Sequence, residues 1–210
     1  MRSWFKLFIS MVLVVLGPQV GKAQQGDALP EEAPVQERSA LEYTLNFSTV
    51  YAAQWAVYLV TQEDTIRDHG SWDNFFHYPF HPGFDKDSFD YNLFKHAWSG
   101  QYYYLFYRYR GYSEVEAFTW TFLSSLAFEF AVETYTEKPS IQDIYQTPIY
   151  GTLVGMGFER LSAYFRSSES IFVRALGVVL NPFTLLPQYD LAAMPVIKDE
   201  TVGVSVLWRY

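Results

Sequence analysis

The chain has 210 residues, no cysteine, a net charge of −8, and an aromatic residue at one position in five. This length suits one domain with its own core, and the lack of cysteine excludes disulfides, a cysteine-linked lipid anchor and thiolate metal ligands. The negative charge repels phosphate backbones and argues against nucleic acid as a partner.

The first 23 residues are predicted to be a cleaved signal peptide. Arg2 and Lys6 precede an apolar run over residues 7–16, and Ala23 offers a small residue at the cleavage point. The apolar run is too short to span a bilayer. We therefore predict export to the periplasm or outer membrane, and a mature charge of −11, because cleavage removes three basic residues and no acid.

The rest of the chain is predicted to be an acidic linker followed by one helical domain. Residues 24–40 carry two prolines, several acids and no aromatic residue, which is typical of disorder. Residues 41–210 are predicted to form a single, mainly α-helical domain, a bundle of about five helices. Within it, residues 41–47 alternate like a strand before a helix that runs to Thr61, and the turn-forming residues 62–90 predict a long aromatic-rich loop.

Capping residues delimit the second and third helices. The second is expected from Ser88 or Asp90 to Tyr109. The third is expected to begin at Ser113, with Glu116 three residues later as its capping-box partner. The short connection between these helices predicts antiparallel neighbours.

Two further helix starts follow on the same logic. Ser140 is predicted to cap a helical turn that has Asp143 at its third position. Thr147 and Pro148 predict the start of the fourth helix, since proline is favoured at the first helical position. The fifth helix is expected at residues 170–180.

The end of the chain shows a strand pattern. Residues 202–210 alternate between apolar and polar or small side chains, which predicts a short C-terminal strand. We expect this strand to pair with residues 41–47.

Four ionisable residues interrupt the apolar helices and are the candidate catalytic residues. His96 lies on the second helix, and Asp143 lies at a later helix start. Glu129 and Glu133 lie four residues apart on the third helix. An imidazole and carboxylates from adjacent helices can bind a divalent metal or form an acid–base pair. The same residues can instead form a satisfied buried network that fixes helix register, an interpretation the sequence favours, and no metal or other cofactor is required.

Two other sets of residues surround this candidate site. The candidates for ligand contact or a polar network are Asp85, Asp87, Asn92 and Glu159. The candidates for close helix packing are Gly100, Gly151 and Gly155. Small residues four positions apart let a second helix approach closely. The chain has no glycine-rich phosphate loop, nucleophile elbow or His-Glu-x-x-His pair.

A series of short motifs over residues 84–159 resembles a bacterial envelope family known as a domain of unknown function, family 3943. The motifs are FDKDSFDYN, KHAWSGQYYY, SSLAFEFAVE, PSIQD and TPIYGTLVG. The matching positions are Asp85, Asp87, Asn92, His96, Gly100, Tyr103, Gly111, Ser113, Glu129, Glu133, Pro139, Ser140, Asp143, Thr147, Pro148, Gly151 and Gly155. Ala97 stands where the family has proline, which weakens the expectation of a fixed bend beside His96. The layout is more distantly similar to VanZ-like proteins.

The resemblance implies an exported protein near the outer membrane and implies no particular activity. We therefore expect a non-enzymatic envelope protein that associates with the outer membrane or its components through an aromatic surface. Its polar cluster would then be structural or would bind a small ligand. The alternative is an envelope hydrolase or metal-dependent enzyme that acts on a lipid or cell-wall substrate through His96, Glu129 and Glu133.

Overall fold

The computed structural model describes residues 38–84, 86, 88–186, 190–198 and 201–209, and their mainly α-helical class confirms the prediction. The α-helices are α1 (Ala40–Thr61), α2 (Glu63–His69), α3 (Trp72–His77), α4 (Phe89–Tyr109), α5 (Glu114–Ala131), α6 (Ile141–Arg166) and α7 (Ile171–Leu180). Short 3-10 helices occupy Tyr78–Phe80, Glu133–Tyr135 and Pro182–Leu185. An antiparallel hairpin of β1 (Asp190–Lys198) and β2 (Thr201–Arg209) follows. The predicted signal peptide and nearly all of the predicted linker lie outside the described residues.

The described part of the chain has seven α-helices rather than about five. The two additional helices, α2 and α3, lie where the sequence predicted a loop. Helix α3 begins after Ser71, whose hydroxyl accepts a hydrogen bond from the Asn74 backbone N–H at 3.0 Å. Helices of six or seven residues are too short to show a clear periodicity, so the turn-forming residues around them dominate the pattern.

The predicted strand at residues 41–47 is wrong, because this segment is the first part of α1. Ser39 caps the helix by accepting a hydrogen bond from the Glu42 N–H at 3.2 Å. Further along α1, Asn46, Val50 and Gln54 are buried at four-residue spacing, which is helical periodicity. The expected pairing with the C-terminal strand is therefore wrong too, since β2 pairs with β1.

The turn between α4 and α5 follows the capping logic of the sequence. Gly111 ends the α4 segment with a φ of 79°, a left-handed conformation that glycine adopts without steric cost. Ser113 and Glu116 form the reciprocal capping box at the start of α5. Helix α5 packs against α4, and both pack against α6.

Helix α6 is continuous, so the predicted helix start at Thr147 is wrong. The helix begins after Ser140, whose hydroxyl accepts a hydrogen bond from the Asp143 N–H at 3.3 Å. Pro148 lies inside it, where proline removes one backbone hydrogen bond. The preceding turn is already capped, so the helix passes through the proline instead of beginning there.

Helices α4 and α6 touch backbone to backbone. A Cβ atom on Gly100 would lie 3.0 Å from the Cα of Gly151, and one on Gly151 would lie 2.8 Å from the Gln101 backbone nitrogen. A Cβ on Gly155 would lie 2.7 Å from the ring of Tyr104. This contact fixes the register of the two helices, and it holds the His96 turn of α4 beside the first turns of α6.

The buried side chains beyond this contact are partly aromatic and partly polar. The apolar cluster contains Val50, Tyr104, Leu105, Tyr107, Tyr112 and Ala117. The phenol of Tyr107 lies 2.9 Å from the Ser124 hydroxyl, and the amide of Gln54 donates to the Ser124 carbonyl at 2.8 Å. These three polar side chains from α1, α4 and α5 are thus joined at Ser124.

Among the described residues, one segment is long and apolar enough to cross a membrane. It covers Glu114–Tyr135 and has a mean hydropathy of 1.2. A core helix of a water-soluble protein has the same length and composition, and α5 within this segment packs against α1, α4 and α6.

Candidate functional site

The centre of the candidate site is a contact between His96 on α4 and Asp143 on α6. His96 Nε2 lies 3.3 Å from Asp143 Oδ2, and His96 Nδ1 lies 2.9 Å from the hydroxyl of Thr147. Asp143 and Thr147 are four residues apart, so they lie on the same face of α6. Both ring nitrogens of His96 therefore face groups on α6, which fixes the plane of the imidazole.

Glu129 joins this pair from α5. Its side chain is 1% exposed, and Oε2 accepts a hydrogen bond from the Ser140 N–H at 2.8 Å. That N–H belongs to the N-cap residue of α6, where a negative charge is favoured by the helix dipole. Its second oxygen, Oε1, is buried and has no hydrogen-bond donor among the described residues.

Three of the four candidate catalytic residues therefore lie together in one cluster. His96, Glu129 and Asp143 are all buried, and each offers an atom within 4.8 Å of the other two. The structure confirms that a buried cluster of His, Glu and Asp exists.

Glu133, the fourth candidate, lies beyond the end of α5, in the 3-10 helix. It is also buried, and burial raises its pKa well above the ordinary value, with the negative charge of Glu129 as the next cause. Burial likewise raises the pKa of Glu129 to about 8, and the hydrogen bond from Ser140 opposes the rise. The positive charge of Lys95 lowers the pKa of both groups. At neutral pH the carboxyl group of Glu129 is therefore largely protonated, unlike a surface carboxylate.

The cluster borders a cavity of about 490 Å³. The cavity is lined by Tyr78, Gly83, Phe84, Lys86, Lys95, Glu133, Thr136, Glu137, Lys138, Pro139, Ser140 and Asp143. Residues before α4 reach this cavity because Gly83 pairs with the start of α6. The Gly83 N–H donates to the Pro139 carbonyl at 3.0 Å, and the Ile141 N–H donates to the Gly83 carbonyl at 2.8 Å.

The other predicted polar residues do not join the cluster in the described part of the chain. Glu159 accepts two hydrogen bonds from Arg108 Nε, at 2.9 and 3.1 Å. Arg108 lies twelve residues beyond His96 on α4, about 18 Å along the helix axis. Asp85 and Asp87 lie outside the described residues, and Asn92 lies on α4 with its side chain outside them.

Sequence reasoning missed three participants. The sequence indicated a helix cap at Thr147 because a proline follows it, so its hydrogen bond with His96 was not predicted. Lys95 stands next to His96 in the sequence but had no predicted role. Ser125 donates to the Asp143 carbonyl at 3.5 Å, and its position on α5, four residues before Glu129, is the signal that would have placed it on this face.

Comparison with known proteins gives one match. A family model described as Domain of unknown function (DUF3943) matches residues 81–183, a wider span than residues 84–159 of the predicted resemblance. No curated protein and no solved structure matches the chain, and nothing supports the more distant VanZ-like likeness. The matched span contains His96, Glu129 and Asp143. It also contains Gly100 and Gly151, which make the backbone contact between α4 and α6. The match thus confirms the predicted resemblance to the DUF3943 family over residues 81–183.

Proposed function

We propose that the protein is an exported envelope protein that associates with the outer membrane and holds a small ligand in the cavity beside its buried polar cluster. The observation that carries this proposal is the inverted polarity of its helices. Several helices bury polar side chains against their neighbours and present apolar side chains outward. Folded proteins in water have the opposite arrangement, and large exposed apolar patches mark interaction with proteins or membranes.

Helix α6 illustrates the inversion. Its buried face carries Asp143, Thr147, Gly151 and Ser162. Its exposed apolar side chains are Tyr145, Ile149, Leu153, Leu161 and Tyr164. Helix α1 follows the same rule, with Asn46 and Gln54 buried and Leu45, Val57, Leu59 and Val60 exposed. Lipid satisfies such outward faces without any further protein partner.

A second group of exposed apolar side chains lies on α3 and in the segment that leads from α3 to the cavity. Trp72, Phe76, Phe80 and Phe84 are each between 63% and 79% exposed. Phe84 also lines the cavity. A ligand drawn from a membrane would reach the cavity along this aromatic surface, defined here as Trp72, Phe76, Phe80 and Phe84.

The net charge of −8 decides which kind of membrane contact is favoured. Anionic headgroups repel an acidic protein, so the association rests on apolar burial instead of charge attraction. Apolar association is not weakened by salt, whereas charge attraction is screened at high ionic strength.

The test is flotation of the purified protein with zwitterionic phosphatidylcholine vesicles. We expect the wild-type protein to float with the vesicles at low salt and in 1 M NaCl. The triple variant Trp72→Ser, Phe76→Ser, Phe80→Ser should float at least fivefold less, because three exposed aromatic rings are lost.

The matched control carries three exposed changes on the neighbouring helix α2: Glu63→Ser, Asp64→Ser and Asp68→Ser. It should float like the wild type. Two results together would contradict the membrane association. The purified wild-type protein would stay in the soluble fraction at every salt concentration, and fractionated cells would contain it only as a soluble periplasmic protein.

A second candidate function is favoured by the convergence of the cluster at the cavity. In an envelope hydrolase, His96 would act as general base, and Asp143 would hold its orientation. Glu129 would supply the acid, since burial raises its pKa to about 8 and keeps it largely protonated at neutral pH, and Glu133, whose pKa burial also raises, is the other candidate. The substrate would be a lipid or a cell-wall component that enters from the aromatic surface.

The hydrolase is tested with a panel of lipid esters, phospholipids and cell-wall fragments. We expect turnover of at least one class, and a loss of about 100-fold or more in His96→Gln, the scale of a lost general base. His77→Gln is the matched control, because His77 is an exposed histidine paired with Asp73 at 3.1 Å. If the wild type turns over nothing and His96→Gln changes only thermal stability, the cluster is a structural network.

A further inference from the structure

We propose that His96, Glu129 and Asp143 form a binding site for one first-row divalent metal ion. The site goes beyond the membrane association proposed above and does not depend on it. It gives the cluster a cofactor of definite class, and in the hydrolase a metal on His96 Nε2 would replace the general-base role of that side chain.

The distances suit ligands that surround a single ion. His96 Nε2 and Asp143 Oδ2 are 3.3 Å apart. Two ligand atoms that each lie about 2.1 Å from one ion in tetrahedral or octahedral geometry are separated by roughly 3.0–3.4 Å. All three candidate atoms lie within 4.8 Å of one another. Contractions of at most roughly 1.5 Å would bring every pair to the separation that a single ion requires.

The second nitrogen of His96 already has the partner that a metal-bound histidine needs. Nδ1 lies 2.9 Å from the Thr147 hydroxyl. When Nδ1–H donates to that hydroxyl, Nε2 is left as the unprotonated nitrogen that faces Glu129 and Asp143. Outer hydrogen bonds of this kind set the tautomer and the ring orientation of metal-binding histidines.

Glu129 supplies an independent indication that something is bound. Its side chain is 1% exposed, and Oε1 has no hydrogen-bond donor among the described residues. Its other oxygen is held by the Ser140 N–H, so the carboxylate cannot turn away without losing that bond. The side chain whose hydrogen bond lowers the pKa of Glu129 is a second buried acid, Glu133, and two carboxyl groups can pair in this way only while one of them is protonated. A cation at the cluster would satisfy Oε1 without that proton.

The charges around the cluster also call for a cation. Glu129, Glu133 and Asp143 are three buried acids, and the buried imidazole of His96 lies beside Asp143 and Glu129. Lys95 is the neighbouring cation whose charge acts on both glutamates. Once Glu129 releases its proton, its charge and that of Asp143 exceed the single charge of Lys95, and a divalent ion neutralises the difference.

The donor set indicates the class of metal. One imidazole and two carboxylates suit Mn²⁺, Fe²⁺ or Zn²⁺ and disfavour the soft ions that select sulfur. Asp143 lines the cavity, so coordination positions on that side are open to water or to a ligand. Three protein ligands with open positions are the usual form of a catalytic metal site.

The test uses the purified full-length chain in detergent, stripped with a chelator and titrated with Mn²⁺ alone. Free Mn²⁺ is followed by electron paramagnetic resonance. We expect saturation at one Mn²⁺ per chain, and we expect Asp143→Asn and Glu129→Gln to weaken binding at least tenfold. These two changes preserve side-chain size, so the helices should remain packed, and circular dichroism checks this.

His96→Ala should likewise weaken binding at least tenfold, while the control His77→Ala should bind as the wild type does. Glu159→Gln is a second control, because it removes a carboxylate from an ion pair with Arg108 that lies away from the cluster. Absence of Mn²⁺ binding by the wild-type chain overturns the site whatever the variants do. Equal binding by His96→Ala and His77→Ala overturns it as well, and neither result bears on vesicle flotation.

Discussion

Replacing Gly151 by alanine is expected to lower the free energy of unfolding by about 2 kcal/mol or more. A Cβ at this position would overlap the Cα of Gly100 and would lie 2.8 Å from the backbone nitrogen of Gln101. Backbone atoms cannot rotate away as a flexible side chain can, so α4 and α6 must separate. That separation loses packing along both helices and outweighs the gain of about 1 kcal/mol that alanine brings to a helix.

Gly157→Ala on the same helix is the matched control. Gly157 is exposed, and no atom lies within 4 Å of a Cβ placed there. This variant should be slightly more stable than the wild type, because alanine favours the helix and nothing opposes it. Urea unfolding in detergent measures both. Equal effects of Gly151→Ala and Gly157→Ala would show that α4 and α6 do not touch through backbone at this point.

The second large effect is a loss of stability as the pH rises in the absence of metal. Glu129 has a pKa of about 8 in the folded protein, against 4.5 for an unperturbed glutamate. Between these values the folded state holds a proton that the unfolded state has released. Stability therefore falls as the pH rises from about 4.5 to 8, by several kcal/mol in total, since each pKa unit corresponds to about 1.4 kcal/mol.

The thermal midpoint should thus decrease from pH 5 to pH 8.5 in the presence of a chelator. Glu129→Gln should flatten much of this decrease, since an amide has no proton to lose in this range. Glu159→Gln should keep the wild-type slope, because Glu159 pairs with Arg108 outside the cluster. A wild-type midpoint that is constant or rises over this interval would mean that the buried carboxyl groups are already ionised and neutralised.

The parts of the fold that the sequence predicted are those set by local hydrogen bonds. Ser113 with Glu116, and Ser140 with Asp143, are capping pairs that need only neighbouring residues. The same local logic misplaced a helix start at Thr147. There the long-range contact with His96 and the already formed turn before Pro148 decide the structure, and no short motif records them.

The polarity of the helices was the hardest feature to predict. A helix with polar residues on one stripe and apolar residues on the other looks the same in sequence whichever face is turned inward. The tertiary structure turns Asn46 and Gln54 inward and leaves Val57 and Leu59 outside. Similarly, Glu159 lies on the same face of α6 as the glycines, a position that suggested a place in the cluster. In the structure its partner is instead Arg108, at the far end of α4 from His96.

The buried site itself was foreseeable in its residue types but not in its geometry. His96, Glu129 and Asp143 stood out because ionisable side chains are rare inside apolar helices. Which of them meet depends on the register of α4 against α6, which Gly100 and Gly151 set. Glu133 remains near the cluster although the helix ends before it, because the 3-10 helix carries it to the cavity wall.

The most direct test of the central claim is a crystal structure of the protein soaked in Mn²⁺, with anomalous scattering recorded to locate the ion. We expect one anomalous peak within roughly 2.0–2.3 Å of His96 Nε2 and of one carboxylate oxygen each from Glu129 and Asp143. A map with no peak among these three side chains, or with its peak at an exposed histidine such as His77 instead, would contradict the account.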